Sequence, residues 1–361
     1  MTADALIAMS GGVDSAVAAM LTREAGLTCL GCTMRLYDNE DAGLPAGRTC
    51  CSLEDAEDAR AVARQLGMPV YVFNFKDDFR REVMAPFAAA YLRGETPNPC
   101  LECNRRLKFG RLFRRADELG CRYLVTGHYA RIDRVGDRWR LRTALDRNKD
   151  QSYVLYMLRQ DQLARLRLPL GELTKDQVRA LAGSRGFPNA QKPDSQDICF
   201  VPDGDHAAMI RRFTGRDSIP GNLVDRSGRV IGRHPGIEHF TIGQRRGLGV
   251  AGGERLYVTA IRPDDHTVVL GPEEDLLTEE VTVPVFHWIA GAAPAGPFDA
   301  GAKVRYRQPV RPVRVFPLPD GGVRLRFAVP IRAPAPGQAA VVYAGEEVLG
   351  GGTISSLRKQ A

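Results

Sequence analysis

The first 200 residues alternate short apolar runs with segments of helical periodicity, and this alternation restricts the fold more than any other feature of the sequence. The predicted strands are 5–9, 27–36, 69–73 and 123–126, and the predicted helices are 15–25, 53–66 and 105–119. Strands separated by helices of this length form βαβ units. The sequence therefore predicts an α/β domain built on a parallel sheet.

The character of the chain changes after about residue 200, where glycine and proline become frequent. Residues 256–261 and 267–270 have the pattern of a hairpin, and 281–361 consist of short alternating segments such as 303–307 and 323–327. This pattern is typical of a small β-barrel or sandwich. We expect an α/β catalytic domain over 1–203, a small central domain over 204–275 and a C-terminal β-barrel domain over 276–361.

Composition and charge exclude several classes of protein. Hydrophobic residues make up 44% and charged residues 26% of the 361 residues, which argues against a disordered chain. No apolar run reaches the length of a membrane span, and the N-terminus lacks the features of a signal peptide, so we expect a cytoplasmic protein with no membrane partner. Residues 301–332 hold eight basic side chains and one acidic, which matches the net charge of +7 of the whole chain. Such a segment favours a polyanionic partner.

A glycine-rich loop, Ser10-Gly-Gly-Val-Asp-Ser15, lies between the first predicted strand and helix. Two glycines let the backbone turn tightly, and the free N–H groups of the following helix favour a phosphate. Asp14 would repel phosphate, so we expect it to hold the loop or to reach Mg²⁺. The loop is not of the Walker type, and a βα turn that binds nothing remains the alternative. It resembles the PP-loop of ATP pyrophosphatases, which transfer AMP to a substrate oxygen and release pyrophosphate.

All eight cysteines lie in the first 199 residues, which indicates metal or thiol chemistry rather than a disulfide framework. Cys103 precedes the basic helix predicted over 105–119, and the cations Arg105, Arg106 and Lys108 should favour its thiolate. A structural cysteine pair is the alternative. Cys199 follows an acidic run and, taken alone, is predicted to be a core residue.

The remaining cysteines have simpler interpretations. Cys29, Cys32 and Cys121 are predicted to be core residues. Cys50 and Cys51 precede the helix predicted over 53–66, and they either face the site or pack in a loop.

Together these segments resemble one family along nearly the whole chain, the bacterial-type tRNA-specific 2-thiouridylases (MnmA/TrmU). The motifs that carry the resemblance are the PP-loop 10–15, Met34, Thr96-Pro-Asn-Pro99, Cys103-Asn104, Lys108-Phe109, Thr126-Gly-His-Tyr129, Asn148-Lys-Asp-Gln-Ser-Tyr153, Asp194-Ser195, Ile198-Cys-Phe200, Thr241-Ile-Gly-Gln-Arg-Arg-Gly-Leu-Gly249, Arg305-Tyr-Arg-Gln308, Pro336-Gly-Gln338 and Leu349-Gly-Gly-Gly352. The resemblance implies a PP-loop parallel-sheet domain followed by a central domain and a β-barrel.

The resemblance also implies an activity. ATP, with Mg²⁺, adenylates O2 of the wobble uridine in the anticodon loop of the glutamate, glutamine and lysine tRNAs, and sulfur then replaces the activated oxygen. Cys199 would carry a persulfide, and Cys103 would be the nucleophile that completes sulfur release. The sulfur would come from a donor protein or from sulfide. The implied ATP-binding residues are Ala8, Met9, Ser10, Gly11, Gly12, Val13, Asp14, Ser15, Met34 and Gly127. The implied contacts to tRNA or its target base are Asn98, Pro99, Cys100, His128, Lys149, Asp150, Gln151, Arg305, Tyr306 and Gln338.

One departure from the family pattern concerns the mechanism. Many members have Asp where this chain has Cys100, so a carboxylate role at that position is lost or moved. Cys100, Cys103 and Cys199 are three soft ligands, and three thiolates can hold a [4Fe–4S] cluster with one iron open to sulfide. A persulfide relay and a cluster-bound sulfide are both consistent with the sequence.

Two other functions are compatible with parts of the sequence. A PP-loop amidating synthetase would need an ammonia source, and no glutaminase pattern is evident. A non-catalytic RNA-binding or metal-carrier protein would not need an intact loop over 10–15.

Overall fold

The computed structural model describes residues 3–38, 53–194, 198–201, 203–250 and 255–359. Its strands are β1 (Ala5–Ala8), β2 (Cys29–Arg35), β3 (Val70–Asn74), β4 (Tyr123–Val125), β5 (Ala130–Val135), β6 (Arg138–Thr143), β7 (Leu166–Arg167), β8 (Gly221–Val224), β9 (Val230–His234), β10 (Tyr257–Arg262), β11 (Thr267–Gly271), β12 (Leu277–Val283), β13 (His287–Trp288), β14 (Phe298–Lys303), β15 (Arg311–Pro317), β16 (Val323–Arg332), β17 (Ala339–Ala344), β18 (Glu347–Thr353) and β19 (Ser356–Lys359). Its α-helices are α1 (Val13–Glu24), α2 (Leu53–Gln65), α3 (Lys76–Phe79), α4 (Ala85–Leu92), α5 (Pro99–Glu102), α6 (Leu112–Glu118), α7 (Gln160–Arg165), α8 (Lys175–Ser184) and α9 (His206–Thr214). Two π-helices cover Arg80–Met84 and Cys103–Arg111, and short 3₁₀ turns cover Ser152–Leu155, Ile237–His239 and Glu273–Leu276.

The N-terminal sheet is parallel, in the order β3-β2-β1-β4-β7. Its central strand β1 is buried on both faces, with Ala5, Leu6 and Ile7 fully inaccessible to solvent. The sheet is therefore covered on both faces. A strand in this position must be apolar on both sides, which explains the continuous apolar run in the sequence. The prediction of a parallel α/β sheet is confirmed.

Two continuous helical runs, 76–92 and 99–118, each contain a π-helix. The second run begins earlier than the predicted helix over 105–119, because Pro99 occupies its first position and the Asn98 side chain caps it by accepting from the Cys100 N–H at 3.1 Å. Cys103 consequently lies one turn inside the helical run and not at its N-terminal edge.

The hairpin of β5 and β6 follows β4 of the parallel sheet in the chain, but it pairs with the C-terminal sheet. Strand β6 pairs with β18 in antiparallel register, Leu141 opposite Val348. Glu346, in the turn before β18, forms ion pairs with Arg131, Arg142 and Arg147. The elements predicted from the sequence do not include a hairpin over 130–143, so this pairing was not predicted.

The central region forms a small sheet in the order β10-β11-β8-β9. The hairpin predicted from 256–270 is present as β10 and β11. The core of this sheet includes Leu223, Val258 and Leu270, and Ala335 of the C-terminal region packs into it.

The C-terminal sheet runs β19-β12-β16-β15-β14-β17-β18-β6-β5, with β13 attached to β18. It wraps around one apolar core that includes Val281, Val315 and Leu325, which makes a barrel-like domain as predicted. The strand predicted over 303–307 is wrong, because β14 ends at Lys303 and Arg305–Arg307 lie in a turn. Among the described residues, no helix is both long and apolar enough to cross a bilayer.

Candidate active site

A cleft of about 1030 Å³ opens where the N-terminal and C-terminal regions meet. It lies beyond the carboxyl ends of β1, β2 and β4, where open parallel sheets bind ligands. Residues 303, 306–310 of the C-terminal domain form part of its wall. The predicted site residues that line it are Ala8, Met9, Ser10, Gly12, Val13, Asp14, Ser15, Met34, Pro99, Cys100, Cys103, Gly127, His128, Lys149, Asp150, Gln151, Cys199 and Tyr306.

The glycine-rich loop connects β1 to α1 and is held from within by Ser15. The Ser15 hydroxyl accepts from the Ser10 N–H at 3.2 Å and donates to the Gly12 carbonyl at 2.9 Å. Helix α1 begins at Val13, so its free N–H groups and the positive end of its dipole face the loop. The loop is therefore arranged to receive an anionic group.

Asp14 holds this loop to the rest of the domain. Its Oδ1 accepts hydrogen bonds from the Tyr129 hydroxyl and the Lys175 ammonium, both at 2.7 Å. Burial and the charge of Asp14 raise the pKa of Tyr129, so the phenol stays protonated and donates. The loop-holding role expected for Asp14 is present, while Asp14 also lines the cleft.

Two glycines allow other backbone segments to approach the loop. Gly11 has φ +78°, and a Cβ there would lie 2.3 Å from the Asp55 carbonyl oxygen of α2. A Cβ on Gly127 would lie 2.8 Å from the Asp14 carbonyl carbon. Asn189 fixes the loop from a third side by donating to the Gly11 carbonyl at 2.8 Å. Gly11 itself does not line the cleft.

The three predicted functional cysteines share the cleft but differ in exposure. Cys100 is exposed, Cys199 is half-buried and Cys103 is buried. Burial raises the pKa of Cys103 to about 11, and the positive charge of Lys108 only partly opposes this. The expectation that Cys103 rests as a thiolate is therefore wrong, because its desolvation outweighs the nearby cations. Cys199 is held by its carbonyl, which accepts from the Tyr37 hydroxyl.

The other cysteines can be placed in part. Cys29, Cys32 and Cys121 are buried core residues, as predicted. Cys50 and Cys51 lie outside the described residues. Within the ranges that the structure describes, no three Cys, His, Asp or Glu side chains are grouped to hold a metal ion.

His128 lies at the inner end of the cleft, just after β4. Its Nδ1 is 2.8 Å from the Thr126 hydroxyl, and its ring packs 5.7 Å from that of Phe109. Burial, with a smaller contribution from the charge of Lys108, holds the pKa of His128 well below its ordinary value. The imidazole is therefore neutral near neutral pH.

The predicted tRNA residues 149–151 line the cleft, and each also has an internal partner. Lys149 forms an ion pair with Asp194 at 2.7 Å. Asp150 is buried and accepts from the Ala144 N–H and the Ser152 hydroxyl. The Gln151 side chain accepts from the Tyr129 N–H at 2.9 Å. This segment thus supports the wall of the cleft as well as lining it.

Three predicted residues lie in or behind the wall. The Arg305 guanidinium donates to the Ile242 carbonyl of the central domain at 2.8 Å. Gln338 donates to the Thr96 carbonyl at 2.7 Å and so holds the segment that leads to Asn98. Tyr306, by contrast, lines the cleft with its ring 5.8 Å from that of Tyr153.

Lys175 was not predicted, and Lys303 was predicted as a phosphate contact on a strand face and not as part of the cleft. Lys175 is almost fully buried and joins Asp14 to Asp194 through contacts of 2.7 and 2.6 Å. Lys303 lines the cleft 3.8 Å from Asp150. Lys175 carries no motif, so only the folded chain could reveal it. Lys303 lay in a segment interpreted as a regular strand.

Comparison with known proteins agrees with this architecture. Residues 3–203 match the family model of a tRNA methyl transferase HUP domain, 209–272 a tRNA methyl transferase PRC-barrel domain, and 278–354 an aminomethyltransferase β-barrel domain. Among solved structures, NMN synthetase from Francisella tularensis matches with a TM-score of 0.34 and 18% identity over 60% of this chain and 79% of that one, a likeness too low to support an argument.

The similar curated proteins extend over nearly the whole chain. The protein named tRNA-specific 2-thiouridylase MnmA in Chloroflexus aggregans is 49% identical, with 98% of both chains covered. Proteins of the same name in Roseiflexus sp. and Geobacter metallireducens are 47% and 45% identical, covering 97% of this chain in each case and 98% and 96% of theirs. The resemblance found in the motifs is therefore confirmed, and the chain belongs to the tRNA-specific 2-thiouridylase family.

Proposed function

We propose that this protein catalyses the ATP-dependent 2-thiolation of the wobble uridine in the glutamate, glutamine and lysine tRNAs. The observation that carries the proposal is that one cleft holds a phosphate-type loop, three cysteines and a segment of the C-terminal domain. The names of the relatives support the same reaction. Because the substrate is tRNA, we propose that the enzyme works in the cytoplasm. We also propose domain divisions near 203 and 275.

ATP binds, in this proposal, with its phosphates on the loop 10–15. The donors there are the N–H groups at the start of α1 and the hydroxyl of Ser10. Ala8, Met9, Met34 and Gly127 line the adjoining wall and would contact the nucleoside. Both contacts of Asp14 use Oδ1, so its Oδ2 fits Mg²⁺, which neutralises phosphate charge when bound with the nucleotide.

The first reaction makes the uridine oxygen a leaving group. O2 of the base attacks the α-phosphorus, the bond to the β-phosphate bridging oxygen breaks, and pyrophosphate departs. The loop contributes positive potential where the pyrophosphate charge is held. The product is a base whose C2 carries AMP.

Sulfur then replaces AMP in two balanced steps. The terminal sulfur of a Cys199 persulfide attacks C2, and AMP leaves with the electrons of the C2–O bond. The Cys103 thiolate then attacks the Cys199 sulfur, which releases thiouridine and leaves a Cys103–Cys199 disulfide. A thiol reductant restores the two cysteines, and a donor protein supplies the next persulfide sulfur.

An iron–sulfur cluster fits the described arrangement less well than this relay. Cys100, Cys103 and Cys199 share the cleft, but they are not grouped as ligands among the residues that the structure describes. We therefore derive no step through a cluster, and Cys100 becomes the residue that separates the two mechanisms.

We propose that the target base enters beside Asn98, Pro99, Cys100 and His128, with Tyr306 on the opposite wall. Uridine in a loop can be splayed out of its stack, and an aromatic ring such as Tyr306 provides a stacking surface. Lys149, Asp150 and Gln151 lie along the same wall, while Arg305 and Gln338 would act on tRNA by holding this wall in place.

The test is mass spectrometry of tRNA after incubation under argon with ATP, Mg²⁺, a thiol reductant and a persulfide donor such as glutathione persulfide, with sulfide replacing the persulfide in a parallel reaction, together with measurement of pyrophosphate release. We expect 2-thiouridine with the wild type, and loss of thiolation but retained pyrophosphate release for C103S and C199S. C121S, a buried thiol outside the cleft, is the matched control. Loss of activity in C100S, together with absorbance near 400 nm in the wild type, would favour the cluster. Pyrophosphate release without tRNA thiolation by the wild type would point to an amidating synthetase.

A further inference from the structure

Lys108 differs from every other cation in the wall of the cleft. Lys149, Lys192, Arg147 and Lys303 each have a carboxylate within 4 Å, and Arg307 also has an interaction. Lys108 has no hydrogen-bond or ion-pair partner among the described residues, although it is half-buried. Holding a partly desolvated ammonium without a counter-charge costs free energy, so such a group points to an anion that forms there.

The π-helix explains how Lys108 comes to share the cleft with Cys103. In an α-helix, residues five apart are separated by about 140° around the axis and face different directions. In a π-helix, with its i→i+5 hydrogen bonds, they lie nearly above one another. Cys103 and Lys108 are the first and sixth residues of the π-helix Cys103–Arg111, and both line the cleft.

The two other cations near Cys103 share one carboxylate as their ion-pair partner. Arg105 forms an ion pair with Glu102 at 3.5 Å and donates to the Tyr156 hydroxyl at 3.2 Å. Arg106 is exposed and forms an ion pair with the same carboxylate at 3.4 Å. The sequence treats the three cations alike, whereas in the structure Lys108 is the cation whose charge lowers the pKa of Cys103, and it has no carboxylate partner among the described residues.

We propose that Lys108 is the cation that stabilises the anionic sulfur of Cys103 when this residue acts as a nucleophile. Lys108 acts through Cys103 and is therefore a positioning residue. The inference rests on the proposed function, in which Cys103 attacks the sulfur of Cys199. The positive charge of Lys108 lowers the pKa of Cys103, which is the direction that this role requires. The π-helix, a form that occurs often at functional sites, is then the means of placing this charge.

The first test measures the charge beside Cys103 without relying on turnover. Peptide mass spectrometry gives the alkylation rates of Cys103 with anionic iodoacetate and with neutral iodoacetamide. Fragment ions separate Cys103 from Cys100. The ratio of the two rates cancels changes in exposure. We expect K108M to lower this ratio by about tenfold, because a unit charge at close range is lost. K108R should restore it to within about twofold, and the matched control R106M should leave it unchanged.

The second test separates the two half-reactions. We expect K108M to leave tRNA-dependent pyrophosphate release within about twofold and to slow sulfur transfer at least tenfold, with K108R restoring transfer. An unchanged alkylation ratio in K108M, or an equal loss of both half-reactions, would overturn the inference. The second result would assign Lys108 to the nucleotide phosphates. If the wild type releases no pyrophosphate with tRNA, the proposed function is wrong. The alkylation ratio still tests the effect of Lys108 on Cys103 in that case.

Discussion

The same added methyl group should lower the stability of the protein at Gly11 and the affinity for ATP at Gly12, the two adjacent glycines of the phosphate-type loop. Gly11 has a left-handed φ of +78°, and a Cβ there would lie 2.3 Å from the Asp55 carbonyl oxygen and 2.7 Å from the Asp55 Cα. Gly12 has φ −82°, and its Cβ would meet only the Ser10 hydroxyl at 3.5 Å, an ordinary contact. Gly12 lines the cleft, and Gly11 does not.

These contacts give the magnitude for G11A. The left-handed conformation costs a residue with a Cβ about 1–2 kcal/mol. Relieving the clash requires moving the backbone of α2 by about 1 Å, which costs about 1–3 kcal/mol more. A total of about 2–5 kcal/mol lowers the Tm of a domain of this size by about 5–15 °C. G12A should cost under about 1 kcal/mol, since it changes only a helix N-cap.

The assays are thermal unfolding and ATP binding by calorimetry on the two variants. We expect G11A to unfold early, and G12A to keep the wild-type Tm but bind ATP at least tenfold more weakly, since its methyl group occupies space where phosphate approaches. Equal loss of stability in both variants would contradict the account of Gly11. Undiminished ATP binding by G12A would contradict the assignment of the loop.

Three further predictions concern other parts of the molecule. In the resting enzyme at about pH 8, iodoacetamide should modify exposed Cys100 faster than buried Cys103, whose pKa is raised to about 11; peptide mapping over time would show the order. Glu346 has a pKa held below its ordinary value by hydrogen bonds and ion pairs with Arg142 and Arg131, so its contribution to stability is present at neutral pH and is lost as the pH falls through that lowered pKa. E346Q should therefore lower the Tm at about pH 7, and this deficit should shrink as the pH falls below the ordinary pKa of a glutamate; a deficit that does not change with pH would argue against ion pairing. Q338A should weaken tRNA thiolation by raising the KM for tRNA while leaving ATP binding unchanged, because the hydrogen bond from Gln338 to the Thr96 carbonyl holds the segment that leads to Asn98, where we propose that the target base enters; a change in ATP affinity would contradict this.

The loop and the parallel sheet could be predicted because their causes are local. The run over 5–9 is apolar at every position, which is typical of a strand buried on both faces. Gly11 and Gly12 follow this run after a single serine, and a tight turn from a strand into a helix favours residues that have no Cβ. The alternation of strands and helices then determines the edge of the sheet at which the loop lies.

The ionisation of Cys103 could not be predicted, because burial is a property of the folded chain. The sequence shows three cations within five residues, and it shows neither the desolvation of the thiol nor the ion pairs of Arg105 and Arg106 with Glu102. The prediction of a strand over 303–307 was wrong for a related reason. Alternating charges over 303–307 have the period of a strand, but β14 ends at Lys303, and Arg305 donates to the Ile242 carbonyl of another domain, a contact that the sequence does not show.

The pairing of the β5–β6 hairpin with the C-terminal sheet explains how residues more than 170 positions apart can form one cleft. Strand β5 begins at Ala130, directly after His128 and Tyr129, and β14 ends at Lys303, directly before the segment that includes Tyr306. Both strands belong to one hydrogen-bonded sheet, connected through β6, β18 and β17. The two walls of the cleft are therefore attached to strands of one hydrogen-bonded sheet, which holds each wall in place relative to the other. It follows that weakening the β6–β18 junction should impair the entry of tRNA before it impairs the binding of ATP, whose loop is anchored within the parallel sheet.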